Sequence, residues 1–382
     1  MPRNKKVWAL LVTGVVAAGL FFFLEKGFLP ADAQKSPPHD NFKVLESVVR
    51  YIRNDYVEEP DPQKTMEGAF QGLVNSLDSL SGYLDKAGAA KYLVPQRRQL
   101  KDVGIVLFKR PGAIPLVVGV VEKSPAEKAG IRIGDYLSAV DDRSTLVWSL
   151  SEINLYLKDV KAGPIKLRVI RDNSTKEIQA ARADIYTRAL TLTVQDGTAG
   201  VVRVHHLYPP AAADFGKDIL PRLRDAKESL ILDLRDCHEG DNEEARALLN
   251  VFLKTESAGY FEQKGGEKDV LSCPDSAPLA GLPVIVWVNQ ATMGPAEILA
   301  GVLKNQKKAK IVGTATPGLA AKQSLFHLAN GDALLLSTGV FCYDSGEKLW
   351  GKGIDPDVKL DPGKTDTKAY TEKTLSLLTK IP

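Results

Sequence analysis

Cysteine is scarce in this chain of 382 residues: Cys237, Cys273 and Cys342 allow at most one disulfide and leave one thiol over. There is no C-x-x-C pair, and the five histidines show no metal-ligand spacing, which argues against a structural zinc site and leaves no cofactor to be read from the sequence. Charge of one sign is also missing. The 50 Lys+Arg face 47 Asp+Glu, and residues 1–33 carry +2 of the net +3. The remainder has no basic field to draw in nucleic acid. Only one long apolar run exists, which excludes a polytopic membrane protein. A composition of 44% hydrophobic and 25% charged residues excludes a disordered or collagen-like chain, and the length suits two or three domains.

The apolar run is at the start. Arg3, Lys5 and Lys6 precede uncharged residues from Val7 to Leu24, and Ala31-Asp32-Ala33 supplies a small-x-small pattern of the kind a signal peptidase reads. The run is long for a cleaved signal and just long enough to span a bilayer, so residues 1–33 read as a signal peptide or a single membrane anchor. Either role places the folded part outside the cytoplasm, in a bacterial periplasm or cell envelope, soluble after cleavage or anchored by residues 7–24.

Four stretches follow the linker Lys35-Ser36-Pro37-Pro38. In residues 39–97, apolar positions Phe42, Val44, Leu45, Val48, Val49 and Ile52 recur at helical spacing. A second helix is expected through Met66, Phe70 and Leu73 and a third near Ala87–Leu93, making a small helical N-terminal domain. In residues 98–185, β-type runs at Gly104–Phe108, Pro115–Val121, Tyr136–Val140 and Ile165–Ile170 alternate with turns around one helix, Ser149–Leu157. In residues 186–362, the runs Ser229–Leu234, Pro283–Val288 and Ala309–Gly313 alternate with helices at Glu243–Leu253 and Pro295–Leu303, as in an α/β core with functional loops at the strand ends. Residues 363–382 form a polar tail with an amphipathic pattern near Leu375–Leu378.

The segment Ser124-Pro125-Ala126-Glu127-Lys128-Ala129-Gly130-Ile131-Arg132-Ile133-Gly134-Asp135 resembles the PDZ signature. A short helix is expected to end at Gly130, and Gly134-Asp135 to turn the chain into a strand. PDZ domains bind an extended peptide by strand addition and hold its terminal carboxylate on backbone N–H groups. The resemblance puts Val103-Gly104-Ile105-Val106 at the carboxylate loop and Ile153 and Leu157 on the helical wall of the pocket. Apolar residues at i and i+4 are equally expected in a core.

The flanking motifs are more specific. Ser76-Leu77-Asp78 with Tyr83-Leu84-Asp85, Leu232-Asp233-Leu234-Arg235, the segment Asn289…Glu297, Gly313–Gln323 and Gly351-Lys352-Gly353-Ile354-Asp355-Pro356-Asp357 resemble, in order, the motifs of carboxyl-terminal processing (tail-specific) proteases over roughly residues 40–362. That resemblance implies an α/β core of the protease/crotonase-like type, with a small N-terminal helical domain and an inserted PDZ domain. It also implies a Ser–Lys dyad, in which a serine at a helix N-terminus attacks a peptide carbonyl and a buried lysine takes its proton.

The dyad is absent. The family's N-x-G-S-A-S-A-S-E reads here Asn289-Gln290-Ala291-Thr292-Met293-Gly294-Pro295-Ala296-Glu297. The nucleophile position is Gly294, and the next residue, which supplies an oxyanion N–H in the family, is Pro295, which has none. The lysine motif reads Pro317-Gly318-Leu319-Ala320-Ala321-Lys322-Gln323, so the base position is Leu319, while the lysine-orienting Gln323 remains. The N-P-G-G loop reads Cys237-His238-Glu239-Gly240 and puts a carboxylate beside an oxyanion site. Thr292 with Lys322 as a displaced dyad, or Cys237 with His238, would be the rescues. Thr292 is more simply a cap or turn residue, the odd offset of Lys322 turns it to the other face of a strand, and adjacent residues rarely form a working pair.

These features together imply an exported, PDZ-containing pseudoprotease that binds extended protein C-termini or partner envelope proteins, among them an active protease relative. A serine-type endopeptidase with a rearranged site and a structural envelope scaffold are the alternatives. A homodimer is implied by resemblance alone.

Overall fold

A computed structural model describes residues 38–93, 100–161, 163–185, 188–193, 200–223, 229–361 and 366–378. The apolar run Val7–Leu24 lies outside them. Among the described residues no helix is long and apolar enough to cross a membrane. The chain divides into two units at Thr65/Met66, within the helix Pro62–Asn75. The first unit holds the helix Pro38–Asp55. The second begins at Met66 and holds the strands and the remaining helices.

The stretch read as one helical N-terminal domain is therefore split. Its part beyond Met66 belongs to the body, because a three-residue strand, Gly82–Leu84, pairs antiparallel with Ala333–Leu335 of the strand Ala333–Cys342. Asp78 is the hub of this joint. Its carboxylate accepts from the Leu80 and Ser81 N–H groups, both at 2.7 Å, and from the Ser81 and Ser337 hydroxyls. Asp85 caps the helix Lys86–Tyr92 by accepting from Gly88 N–H at 2.7 Å.

Residues 105–181 form an antiparallel sheet in the order Ile105–Phe108, Leu116–Val120, Tyr136–Val140, Pro164–Arg171, Ser174–Ala181. Ser149 and Glu152 form a capping box at the start of the helix Leu150–Leu157. Ser124 caps the short helix Pro125–Lys128, and Gly130 and Gly134 take φ of 83° and 95°, as the turn into Tyr136–Val140 requires.

The larger core is a six-stranded sheet in the order Val358–Lys359, Lys310–Gly313, Val284–Val288, Leu230–Asp233, Gly200–Val204, Leu190–Thr193. All neighbours are parallel except the last pair. Its central strands are buried along their whole length, hence the unbroken apolar runs Leu230-Ile231-Leu232 and Val284-Ile285-Val286. The helix Pro295–Gln306 lies against this sheet, with Ala296 to Leu303 buried throughout. A further antiparallel sheet joins Ala333–Cys342 to Ala321–His327, Tyr260–Gln263, Lys268–Val270 and Gly82–Leu84. The loops that leave the C-terminal ends of the parallel strands converge on one place, where open parallel sheets present their sites.

Candidate functional site

The strand Val284–Val288 runs into the helix Pro295–Gln306 through a tight elbow. Asn289 organises it. Its side-chain carbonyl accepts from the N–H groups of Asp236 and Ala291, both at 3.1 Å, and its amide donates to Asp236 Oδ1 at 2.9 Å. Thr292 Oγ1 donates to the Leu234 carbonyl at 2.8 Å and accepts from Asn289 N–H at 3.0 Å. Met293 N–H donates to the Cys237 carbonyl at 3.0 Å. The loop after Leu230–Asp233 and the elbow are thus stitched into one body.

Gly294 ends the elbow with φ 57° and ψ −119°, a conformation that side-chain-bearing residues rarely adopt. Nucleophilic serines on strand–turn–helix elbows sit on a similarly strained turn. A Cβ built here would meet nothing closer than the Leu319 carbonyl oxygen, at 3.8 Å. Space for a side chain is present; the side chain is not. Pro295 follows as the first residue of the helix, where a missing N–H costs nothing structurally.

Glu297, fully buried, braces the elbow from below. Its carboxylate accepts from Gly294 N–H (3.1 Å), Leu319 N–H (2.7 Å), Gly318 N–H (2.7 Å) and the Thr316 hydroxyl (2.5 Å). Burial outweighs these donors and pushes its pKa up to about 7. One carboxylate therefore fixes the nucleophile position relative to the base position. Thr316 also accepts from Ile354 N–H at 2.8 Å, and a Cβ on Gly318 (φ 81°) would lie 2.6 Å from Gly353 N, so the Gly351-Lys352-Gly353 turn requires a glycine at 318.

Above the elbow opens a cavity of about 400 Å³. Gly294, Pro295, Leu319 and Glu239 line it, as do Lys322 and Gln323 and one face of the helix Leu150–Leu157. Glu239 is almost fully buried and joins a charge cluster that sequence reasoning missed. It is hydrogen-bonded to the Lys158 ammonium, whose Nζ also lies 3.8 Å from Asp102 Oδ2, while His238 Nε2 lies 3.6 Å from Glu239 Oε1. Burial alone would raise the Glu239 pKa, but the Lys158 charge overrides it and holds the carboxyl down to about 2. Burial alone would likewise discharge Lys158; the Glu239 carboxylate, with Tyr208 and Asp102, raises its pKa instead. Burial raises Asp102, against the pull of Lys158. Lys158 is therefore a fixed cation rather than a proton acceptor.

Comparison with known proteins bears on this geometry. Residues 198–360 match the model of peptidase family S41, and residues 116–171 match a PDZ domain. The carboxy-terminal processing protease CtpA of Bacillus subtilis (strain 168) is 26% identical over 366 residues, 94% of this chain and 78% of that protein. A probable CtpA-like serine protease of Staphylococcus aureus (strain COL) is 24% identical over 361 residues, 94% of this chain and 72% of that protein. The chain thus carries a peptidase family S41 domain at 198–360 and a PDZ domain at 116–171, and along most of its length it is similar to C-terminal processing proteases. The solved photosystem II D1 C-terminal processing protease shares the fold with a TM-score of 0.70 at 21% identity, over 87% of this chain and 90% of that one. The fold is thus the family's, with a PDZ domain beside an α/β core.

Each candidate for a displaced nucleophile or base has a structural role. Thr292 is fully buried and is a turn residue, its hydroxyl held by Leu234 and Asn289. Cys237 is buried, and burial pushes its thiol far up, away from the reactive thiolate. The expectation that Lys322 points away from Leu319 is corrected. Leu319 precedes the strand Ala321–His327 rather than lying in it, so strand alternation does not apply, and both residues line the cavity. The Lys322 ammonium is paired with Asp269. Gln323 donates to the Leu80 carbonyl at 3.1 Å. All three cysteines are free thiols, so the single disulfide that the sequence permitted does not form.

Val103, Ile105 and Val106 are at most 4% exposed, and Ile153 and Leu157 at most 2%. All belong to the apolar core of the PDZ region, together with Ala291 and Met293 from the elbow and Leu319. Their side chains are thus core residues, and a carboxylate at this loop would meet backbone N–H groups rather than side chains. Ile153 and Leu157 face inward, and Ser151, Asn154, Leu155 and Lys158 of the same segment face the cavity. Gly104 (φ 86°) does form a turn, with Ser124 Cβ 2.4 Å from where its own Cβ would be, and its N–H donates to Asp102 Oδ1 at 3.1 Å. Gly119, paired with Val106 across the sheet, lies against Ala291, whose Cβ is 3.1 Å from where a Gly119 Cβ would be, which seats the PDZ sheet directly on the elbow.

Proposed function

We propose that this protein is an exported member of the C-terminal processing proteases that binds protein C-termini or partner envelope proteins and cleaves neither. The carrying observation is Gly294. The elbow that would aim a nucleophile is intact and braced, yet the position has no side chain. Leu319 at the base position cannot accept a proton, and Pro295 offers no N–H to an oxyanion, a donor whose loss typically costs about 10²–10³ in rate. Glu239, ionised at the same wall, opposes any oxyanion there.

Binding would use the edge of Ile105–Phe108, paired on one side with Leu116–Val120. An extended peptide would add there as a strand, its carboxylate at the Gly104 turn, once the helix Leu150–Leu157 yields. Export is supported by the basic flank, the Val7–Leu24 run and Ala31-Asp32-Ala33.

The test uses a fluorescein-labelled peptide ending in apolar residues, as free acid and as C-terminal amide, incubated with the chain lacking residues 1–33. Anisotropy should rise for the free acid and little for the amide, and intact mass should be unchanged after a day. Equal binding of both forms would refute the carboxylate site. Shortened peptide would refute the loss of activity.

A further inference from the structure

A catalytic cleft of this family must offer hydrogen-bond donors to a developing oxyanion, and the lysines of the cavity here are already spent. Lys158 is engaged with Glu239 and Asp102, Lys322 with Asp269, and His238 Nε2 lies 3.6 Å from Glu239 Oε1. Gln323 spends its amide on the Leu80 carbonyl and the Ser151 hydroxyl. Two acceptors on the same wall are left over. Glu239 Oε1 is taken by Lys158, but Oε2 is buried with no hydrogen-bond partner. The Asn242 side chain donates through Nδ2 to the Ala321 carbonyl at 3.2 Å, which leaves Oδ1 buried and likewise unpartnered. Buried acceptors without donors are uncommon in folded proteins and each calls for an explanation. These two stand three residues apart, both lining a cavity within the size range of ligand sites, roughly 300–1,000 Å³.

We propose that the former catalytic cavity is a binding site for an organic cation, the ammonium or guanidinium head of a lysine or arginine side chain on the bound polypeptide, received by Glu239 Oε2 and Asn242 Oδ1. The proposal deepens the non-cleaving reading above by naming what the cavity selects. A peptide carbonyl or a carboxylate finds no spare cationic donor among these side chains, whereas a cation finds one charged and one neutral acceptor. Charge-assisted bonds of this kind are the stronger class and carry selectivity. Glu239, at a glycine position of the family's N-P-G-G loop, accounts for both the lost chemistry and the new preference.

The experiment uses four labelled octapeptides with the same apolar C-terminus and Lys, Arg, norleucine or Glu at one internal position. Lys and Arg peptides should bind at least tenfold more tightly than the norleucine and Glu peptides. In Asn242→Ala the preference should fall at least threefold, and in Glu239→Gln it should vanish, provided circular dichroism shows that variant folded. Asn242→Ala keeps the proposal testable if it is not. Nα-acetyl-lysine amide should compete with the Lys peptide, whereas its Nε-acetylated form should not. Equal affinity for all four peptides, preference for Glu, or a preference unmoved by Asn242→Ala would each overturn the proposal. Intact mass of the same peptides separates the two readings. Cleavage with the cation preference retained overturns only the loss of activity. If none of the octapeptides binds, direct calorimetry with Nα-acetyl-lysine amide decides the cation site alone: saturable binding supports it and its absence overturns it.

Discussion

The brace below the elbow and the wall above it lie within a few residues of each other, yet they keep opposite things. Below, Glu297 gathers Gly294, Thr316, Gly318 and Leu319 on one carboxylate, and Thr316 extends the network to Ile354. Above, Gly294 and Leu319 present no reactive atom, and Glu239 places an ionised carboxylate on the wall of the same cavity. A network whose members bond to one another cannot lose one without orphaning the rest, so each substitution in it is felt as instability. A reactive side chain facing a cavity supports little of the fold. The positions that perform chemistry can therefore change while the scaffold that aimed them stays.

The contrast is sharpest in the buried cluster. Replacing Lys158 alone by Met should cost about 3–5 kcal/mol, because Glu239 is left charged and buried, while Lys158→Met with Glu239→Leu should recover most of that loss. Urea unfolding of the two single variants and the double variant measures the coupling; additive losses would show that the pair is not one unit. Next in size is the brace. Glu297→Leu should cost at least about 3 kcal/mol, since buried N–H groups lose their acceptor.

The brace also has a pH signature. The folded pKa of Glu297 is raised from 4.5 to about 7 by burial, so the folded state holds the proton more tightly than the unfolded chain. Its contribution is complete below pH 4.5 and is lost as pH rises towards 7. Measured against Glu297→Gln, which cannot titrate, the unmodified chain should lose stability between about pH 5 and 7. A flat difference would contradict the assignment.

The wall should respond least. Gly294→Ser has room for its Cβ and should cost about 1–2 kcal/mol, through positive φ alone, with no gain of activity. Gln323→Ala should cost about 1 kcal/mol, for its hydrogen bonds to the Leu80 carbonyl and the Ser151 hydroxyl.

What the sequence made legible follows the same division. Gly294, Pro295 and Leu319 could be placed by counting along motifs, and the structure puts all three around one cavity because the brace fixes their spacing. The strands Tyr136–Val140 and Val284–Val288 were readable as apolar runs between turns. Gly82–Leu84 was not, since three residues carry no period and its pairing partner lies some 250 residues onward. Lys158 was invisible for a similar reason. Nothing in a lysine at a helix end announces a carboxylate 81 residues away, and only the unexpected Glu239 hinted that a partner was needed. Ile153 and Leu157 show the limit of periodicity. Spacing finds the apolar face of a helix, but not whether that face meets a ligand or a core.

The most direct measurement is the rate at which a free-acid tail peptide is shortened, read by mass spectrometry, for the unmodified chain beside a variant carrying Gly294→Ser, Pro295→Ala, Leu319→Lys and Glu239→Gly. The account predicts no product from the unmodified chain and measurable product from the restored one, because the elbow and its brace are still in place. Product from the unmodified chain, lost on Thr292→Val or Lys322→Met, would contradict it.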